Sequence, residues 1–328
     1  MRKLWLIFSP VFYVVSLCGQ PSLSNTVTRF PSLLIPPSAR GLAMGDGGIA
    51  TAKENQQLYY NAAATAFTRN FHQASFSYLP WLTGISQDTR LMGVNYLASI
   101  TDGSAFGVSL NYLRLGSIDL RDENGATLAS YPMREFNIGL SYALQVAEHQ
   151  SLGVTMKFLG QNQFAIAPTS QYRICGDLSY YGYLELANAA KKLHWGITLS
   201  NLMPGYQLPQ MIGAGIGYSS ISSNDDQLTL SLDATRLLQG VSPGIRFTTG
   251  LEYGFEEQFF LRSGMSLEKQ GAGNRKFFSF GAGYKGYVSD QTFGLDLYYL
   301  VPFGTVSAVS PFQHSWGMTL HLSFGNFQ

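Results

Sequence analysis

Charge is what this sequence has least of. Only 12% of its 328 residues are Asp, Glu, Lys or Arg, against about 25% in an ordinary soluble protein. A soluble domain of this size needs more charge to cover its surface, so part of the surface faces something other than water. Neither sign is in excess. The formal net charge is +1 and no basic cluster interrupts the chain, which excludes nucleic acid as a partner. Cysteine is nearly absent as well: there are two, Cys18 and Cys175. Cys18 falls in an N-terminal leader, so after its removal Cys175 stands alone and no intramolecular disulfide is available. The five histidines are scattered and no Cys/His cluster exists, so neither a metal site nor a cofactor is expected. Past the leader, no stretch reaches the ~18 apolar residues of a spanning helix.

The leader is "MRKLWLIFSPVFYVVSLCGQ". Arg2 and Lys3 precede an apolar run from Leu4 to Cys18, followed by small and polar residues, the pattern of a secretory signal peptide. Its expected extent is residues 1–19. A short membrane anchor is the alternative, but the run is short and contains Pro10. A lipoprotein acylated at Cys18 is a second alternative, for which Leu17 is a poor preceding residue.

What the chain has in place of charge is glycine, 35 residues, and aromatics, 14%, arranged with a period of two. In "SAFGVSLNYLRLG", Phe106, Val108, Leu110 and Tyr112 share one parity, and Gly107, Ser109 and Asn111 the other. "FNIGLSYAL", "LGVTMKF", "LHWGITL", "LTLSLDA", "FGLDLYYLV" and "WGMTLHLSF" repeat the pattern. Weaker candidates lie at 73–79, 90–99, 172–183, 211–219, 245–253, 257–265 and 276–285. Together they predict about fourteen strands, most near the roughly 9–11 residues of a tilted membrane strand and longer than the ~5–6 of a soluble sandwich.

Lys157, Asp233 and Asp296 sit on the polar parity; Arg173 and Asp177 share one parity, and Glu252 and Arg262 follow the same rule. Parity alone fits a sandwich with charges in water or a barrel with charges in its lumen. Face chemistry favours the barrel. The polar parity is mostly Gly, Ser, Thr and Asn, which suits a crowded interior and makes a poor soluble surface. Tyr, Trp and Phe fall near strand ends, as interfacial girdles do. Connections alternate in length: "PWLTGISQD" then "TDGS", "GSIDLRDENGATLASYPM" then "VAEHQ", "RLLQGVSPG" then "FEE". Long extracellular loops and short periplasmic turns have this rhythm. The expected fold is an all-β transmembrane antiparallel barrel of about fourteen strands over 72–328. It would lie in the outer membrane of a Gram-negative bacterium with lipid against its apolar parity and both termini in the periplasm.

Residues 20–71 do not alternate. They combine a Pro-rich lead, the Gly-rich "GDGG" and an Ala-rich piece. "GDGG" lacks the Lys and spacing of a phosphate loop and reads as a tight turn. A fourteen-strand lumen is too wide for wall side chains to fill, so this segment is expected to fold into the barrel as a plug; a periplasmic tail is the alternative.

Several stretches resemble the PorV family of outer-membrane proteins, within the broader fatty-acid-transporter-like (FadL-like) barrels: "LLIPPSARGLAMGDGGIATA", "YYNAAATAF" and "FSYLPWLTGI". Ser38, Ala39, Arg40, Ala43, Met44, Gly45 and Asp46 match the family's first motif, and Asn61 its Asn step, with Ala62 where proline is usual. Tyr78, Pro80, Trp81 and Leu82 match a turn closing the first strand. The resemblance implies a non-enzymatic role in type IX secretion. Such barrels dock on the translocon, collect cargo through its C-terminal sorting domains and pass it to the attachment machinery. A related PorQ or other paralogue remains open.

The plug motif (Ser38, Ala39, Arg40, Met44, Gly45, Asp46, Asn61) is one candidate site. Pro80, Trp81 and Leu82 are a candidate partner or cargo contact, or else a belt anchor. Lys157, Arg173, Asp177, Asp233, Glu252, Arg262 and Asp296 are expected as mutually balancing lumen charges, or as selectivity groups on a transport path. Two further functions stay open: a FadL-like transporter of hydrophobic small molecules, and a lipid A or phospholipid hydrolase using His314, Ser315 and His321. None of these last three has the spacing of an esterase elbow, and no catalytic residue is assigned.

Overall fold

Alternation of apolar and small polar residues commits each strand to one greasy and one polar face, and in a bilayer every strand edge must find a partner. The computed structural model describes residues 30–68, 70–81, 88–164, 168–186, 190–203, 208–238, 244–268, 275–304, 310 and 312–326. Its strands are β1 (Asn70–Pro80), β2 (Thr89–Thr101), β3 (Ser104–Arg121), β4 (Thr127–Ala147), β5 (Gln150–Phe164), β6 (Pro168–Leu186) and β7 (Lys191–Leu202). They continue as β8 (Met211–Ile221), β9 (Gln227–Leu237), β10 (Ile245–Phe255), β11 (Phe259–Glu268), β12 (Lys276–Val288), β13 (Gln291–Pro302) and β14 (Trp316–Asn326). Each strand pairs with its sequence neighbours, and β1 pairs antiparallel with β14 from Asn70↔Asn326 to Tyr78↔Met318. The result is the expected closed barrel of fourteen strands, with no sheet edge left within the ring.

Phe106 and Leu110 are exposed on the outer wall while Ser109 and Asn111 are buried inside. Asn111 Nδ2 donates to Asn137 Oδ1 on β4 (3.0 Å). The same division runs round the ring: Val154, Ile174, Ile216, Phe247, Leu261, Phe280 and Leu297 all face outward. Trp316, Tyr299, Tyr284 and Tyr142 add exposed aromatics to this wall.

The connections β2–β3, β4–β5, β6–β7, β8–β9, β10–β11 and β12–β13 define a short-turn rim, and the other seven a long-loop rim. On the long-loop rim one expectation needs correction. "GSIDLRDENGATLASYPM" is not a loop. β3 runs to Arg121 and β4 starts at Thr127, so only 122–126 turn. The turn is closed by Asp122 Oδ1, which accepts from Asn124 N (2.9 Å) and Ala126 N (2.8 Å), with Gly125 at φ +82°. β2 stops pairing with β3 at Leu115, and β5 stops pairing with β4 at Arg134. Beyond these points β3 and β4 pair only with each other, from Ser117↔Pro132 to Arg121↔Thr127. A two-stranded ribbon therefore stands clear of the barrel. Outside the bilayer nothing demands an apolar parity, which is why charges in this stretch disguised its strands.

Candidate functional site

The inner face is built to hold residues 30–68. At the long-loop rim, Phe30 is fully buried against Leu159, Cys175 and Leu208. Ser32 N–H donates to Glu135 Oε2 (3.0 Å), and Arg275, held by Glu268 (3.0 Å), donates to the Leu34 carbonyl (3.2 Å). Pro36 and Pro37 cannot continue a helix, and one turn of helix follows at Ala39–Ala43. Ser38 is its N-cap: its Oγ accepts from Gly41 N (3.0 Å) and donates to Gln56 Oε1 (2.7 Å), a cap worth about 1 kcal/mol. The helix's apolar residues Ala39, Leu42 and Ala43 pack on inward Leu79, Leu91, Leu113 and Leu300.

Arg40 is the centre of the fastening. Its guanidinium grips the buried Glu252 carboxylate with both arms, Nε to Oε2 at 2.7 Å and Nη2 to Oε1 at 3.0 Å. Nη1 donates to the Thr51 carbonyl (3.0 Å), tying two parts of the plug together. Lys53 and Arg262 reach the same carboxylate at 3.0 and 2.6 Å. Arg262 continues to Asp296 (2.6 Å), and Asp296 to His321 (2.8 Å). One carboxylate thus serves three cations, and two of the three come from the plug.

The turn at Gly45 and Asp46 takes positive φ, +78° and +64°. It brings Asp46 onto Arg246 in an ion pair. Two residues on, Gly48 N and Ile49 N both donate to Asp233 Oδ2, at 2.6 and 3.1 Å. Asn61 closes the segment: its Nδ2 donates to the Ile49 carbonyl (2.9 Å) and the Tyr180 carbonyl (3.0 Å), while its Oδ1 accepts from Ala63 N (3.1 Å). Between them, Tyr60 OH donates to Asp46 Oδ1 (3.3 Å). Loss of water raises the Tyr60 phenol well above its ordinary value and the Asp46 carboxylate adds to the shift, so it stays a neutral donor.

Glycines make the room. Met44 and Gly45 lie so close to β11 that a Cβ on Gly264 would fall 2.2 Å from Gly45 N. Gly281 faces Ala43, Gly250 faces Met44, Gly196 faces the Ile49 carbonyl and Gly153 faces Ala63 N, each too near for a methyl group. Replacing Gly264 with Ala is expected to weaken seating of the plug by about 1–3 kcal/mol, because backbone lies on both sides of the contact. Limited proteolysis checks this: the Gly264→Ala plug is cut while the barrel keeps its heat-modifiable gel mobility. Equal protection of both proteins would show that the contact relaxes freely.

All seven residues of the plug motif are thus buried inside the barrel, in one connected unit. The anticipated lumen charges all point inward, but with unequal roles. Lys157 pairs with Asp177 (2.6 Å), and Glu252, Arg262 and Asp296 form the network above. Asp233 takes backbone N–H groups instead of a cation, and Arg173 Nη1 donates to the Tyr172 carbonyl. Arg246, Glu135, Glu268 and Arg275 belong to the fastening and went unread, although Arg246, Glu135 and Glu268 occupy the same inward parity. Pro80 ends β1. Trp81 is buried edge-on against Phe312 (5.4 Å) in the inner core, so it is not an exposed contact; Leu82 lies outside the described residues. Ser315 immediately precedes β14 and His321 lies within it, six positions on and roughly 20 Å away in extended chain. His314 contacts Tyr299 (3.3 Å) and His321 binds Asp296, so these three do not gather into one site.

A closed fourteen-strand barrel with an N-terminal segment bonded inside it is similar in fold to the FadL-like outer-membrane barrels. The toluene transporter TodX of Pseudomonas putida superposes with a TM-score of 0.59 at 11% identity, covering 87% of this chain and 96% of its own. A FadL homologue of Pseudomonas aeruginosa gives 0.50 at 13% identity, covering 87% and 97%. At these identities the likeness is one of fold. No curated protein matches the sequence. Residues 20–243 match the family described as type IX secretion system protein PorV, and the chain belongs to that family.

Proposed function

We propose that this barrel is a non-enzymatic component of type IX secretion. It docks beside the translocon and hands cargo bearing C-terminal sorting domains to the attachment machinery. The family match over 20–243 carries the reading. The filled lumen agrees with it: among the described residues, two spaces between plug and wall are about 340 and 80 Å³, far too small for a folded domain. Cargo would therefore be handled on outer surfaces, and the β3–β4 ribbon is one that extends past the neighbouring strands. In this reading the ribbon's rim is extracellular, the short-turn rim is periplasmic, and both ends of the barrel chain are periplasmic.

Deleting the protein is expected to strand cargo with C-terminal sorting domains inside the envelope, measured by surface labelling of one such cargo. Cargo arriving normally at the surface would overturn the proposal. The fold likeness to TodX favours a second reading, a transporter of hydrophobic small molecules. It requires uptake of a labelled apolar solute to fall on deletion while cargo display is unchanged.

A further inference from the structure

The lumenal charges are partnered, but a row of arginines on the outer wall is not. In the strand register Arg90 on β2 stands opposite Arg114 on β3, and Arg114 stands opposite Arg134 on β4. Their parity is that of the exposed Val94, Leu110 and Leu140, so all three side chains leave the wall on its lipid side, roughly 5 Å apart from strand to strand. Like charges directly opposite one another repel, and the wall does not offset them. Among the described residues none of the three guanidiniums has an ion-pair or hydrogen-bond partner, and Arg114 Nε is buried without an acceptor. Glu135, next to Arg134, points inward to Ser32 N and Gln161 Nε2, both at 3.0 Å. Two residues nearer the membrane middle, Met92, Tyr112 and Phe136 stand in one row, and Val94, Leu110 and Ile138 in the next. Phe136, Phe158 and Tyr172 extend the upper row as an aromatic band across β4, β5 and β6, with centroids 6.0 and 5.9 Å apart. Aromatic belts lie at the level of lipid headgroups, which sets the arginines at the height of the phosphates.

We propose that Arg90, Arg114 and Arg134 bind the phosphate of a membrane lipid, a phosphorylated glycolipid in the leaflet on the long-loop side, whose acyl chains lie on Tyr112, Leu110 and Val94. Guanidinium forks match phosphate oxygens two at a time, and the bound anion relieves the repulsion along the row. The apolar rows below reward the chains of the same molecule, which a free anion lacks. The site does not depend on the secretion role. The choice of a glycolipid rests on reading the long-loop rim as extracellular, because that leaflet of an outer membrane carries this lipid class.

The test uses the full barrel in detergent micelles and native mass spectrometry, with lipid A as the probe and lipid A stripped of its phosphates as the comparison. Saturable binding of lipid A is expected, at least about tenfold tighter than of the stripped form. Arg114→Gln with Arg134→Gln should abolish the preference, and lysine at both positions should keep part of it. Arg236→Gln, exposed on β9, should change nothing. Heat-modifiable mobility and protease protection of the plug confirm that each variant is folded. Equal affinity for the two lipids, or an unchanged preference in the folded double variant, would overturn the proposal. Saturable binding of inorganic phosphate that the double variant loses would assign the row to a free anion instead, and a protein that co-purifies with the wild type but not with the double variant, with no lipid preference in either, would assign it to a protein contact. The leaflet is checked separately by Asn124→Cys at the ribbon tip, which an impermeant maleimide should label on intact cells. A tip that stays unlabelled would overturn the glycolipid and the rim assignment together, whereas a labelled tip without phosphate preference would overturn the lipid site alone.

Discussion

Glu252→Gln is expected to give a barrel that closes normally but no longer holds its plug. Glu252 is 1% exposed and, among the described residues, is the one acceptor shared by Arg40, Lys53 and Arg262. An amide in its place keeps the shape, removes the charge and turns an NH₂ group toward guanidinium donors. The buried Arg40 and Arg262 and the partly exposed Lys53 then lose their shared carboxylate, and Asp296 pairs with Arg262. Removing one partner of a buried ion network costs about 3–5 kcal/mol, mostly from the charges left behind. The fourteen strand pairs do not depend on this residue, because the ladder is backbone hydrogen bonding closed on itself. The loss therefore falls on the plug. Protease should cut within 40–60 in the variant and spare the wild type, and planar-bilayer recordings should show conductance where the wild type is silent. Replacing Arg40 as well, in Arg40→Met with Glu252→Gln, should recover part of the loss, because one unpaired charge has gone; the double-mutant cycle measures how much. A Glu252→Gln protein with a protected plug and no conductance would show that the backbone contacts of Gly48, Ile49 and Asn61 suffice.

The ring of strands was legible because the bilayer imposes one rule on every strand, and the rule leaves a period-two trace in residues such as Leu152, Val154 and Met156. The lumenal side was legible in kind, since Gly, Ser and Asn along the other parity announce a crowded interior. Its pairings were not. Arg40 and Glu252 lie 212 positions apart, and nothing near either residue names the other. Arg246 carries the same signal as Arg262 and was passed over, because parity identifies an inward charge without saying which segment it meets. Trp81 failed differently. Its place at the end of β1 fits a rim anchor, and its burial depends on Phe312 and Phe277, supplied by the far end of the chain. The ribbon went unseen because Ile118 and Leu120 alternate with Ser117, Asp119 and Arg121 beyond the membrane, where alternation with charges is ordinary loop composition.

Excising residues 117–132, with a two-residue Asn-Gly turn in their place, is expected to leave a plugged, heat-modifiable barrel and to lower surface display of cargo at least tenfold. Isolated two-stranded ribbons are marginally stable, and among the described residues no third strand pairs with either edge of this one. The two edges differ. On β4, Pro132 lacks an N–H, a usual protection against pairing. On β3 no proline interrupts 117–121, and Ile118 is exposed there, with Leu128 69% exposed on the facing strand. An edge of this kind can take an added strand from a partner, with backbone hydrogen bonds supplying affinity and alternate side chains specificity. Ile118→Pro should then reproduce much of the excision, because a proline in β3 disfavours strand addition there, whereas a proline at Ser130 on the β4 side should do less. The whole-protein deletion separates the possible failures. Cargo retained in the deletion strain but displayed normally after excision would mean that the barrel acts through another surface. Cargo displayed in both would remove the secretion role itself. If Ile118→Pro and a proline at Ser130 lowered display equally, the ribbon would be acting through its tip rather than through the β3 edge.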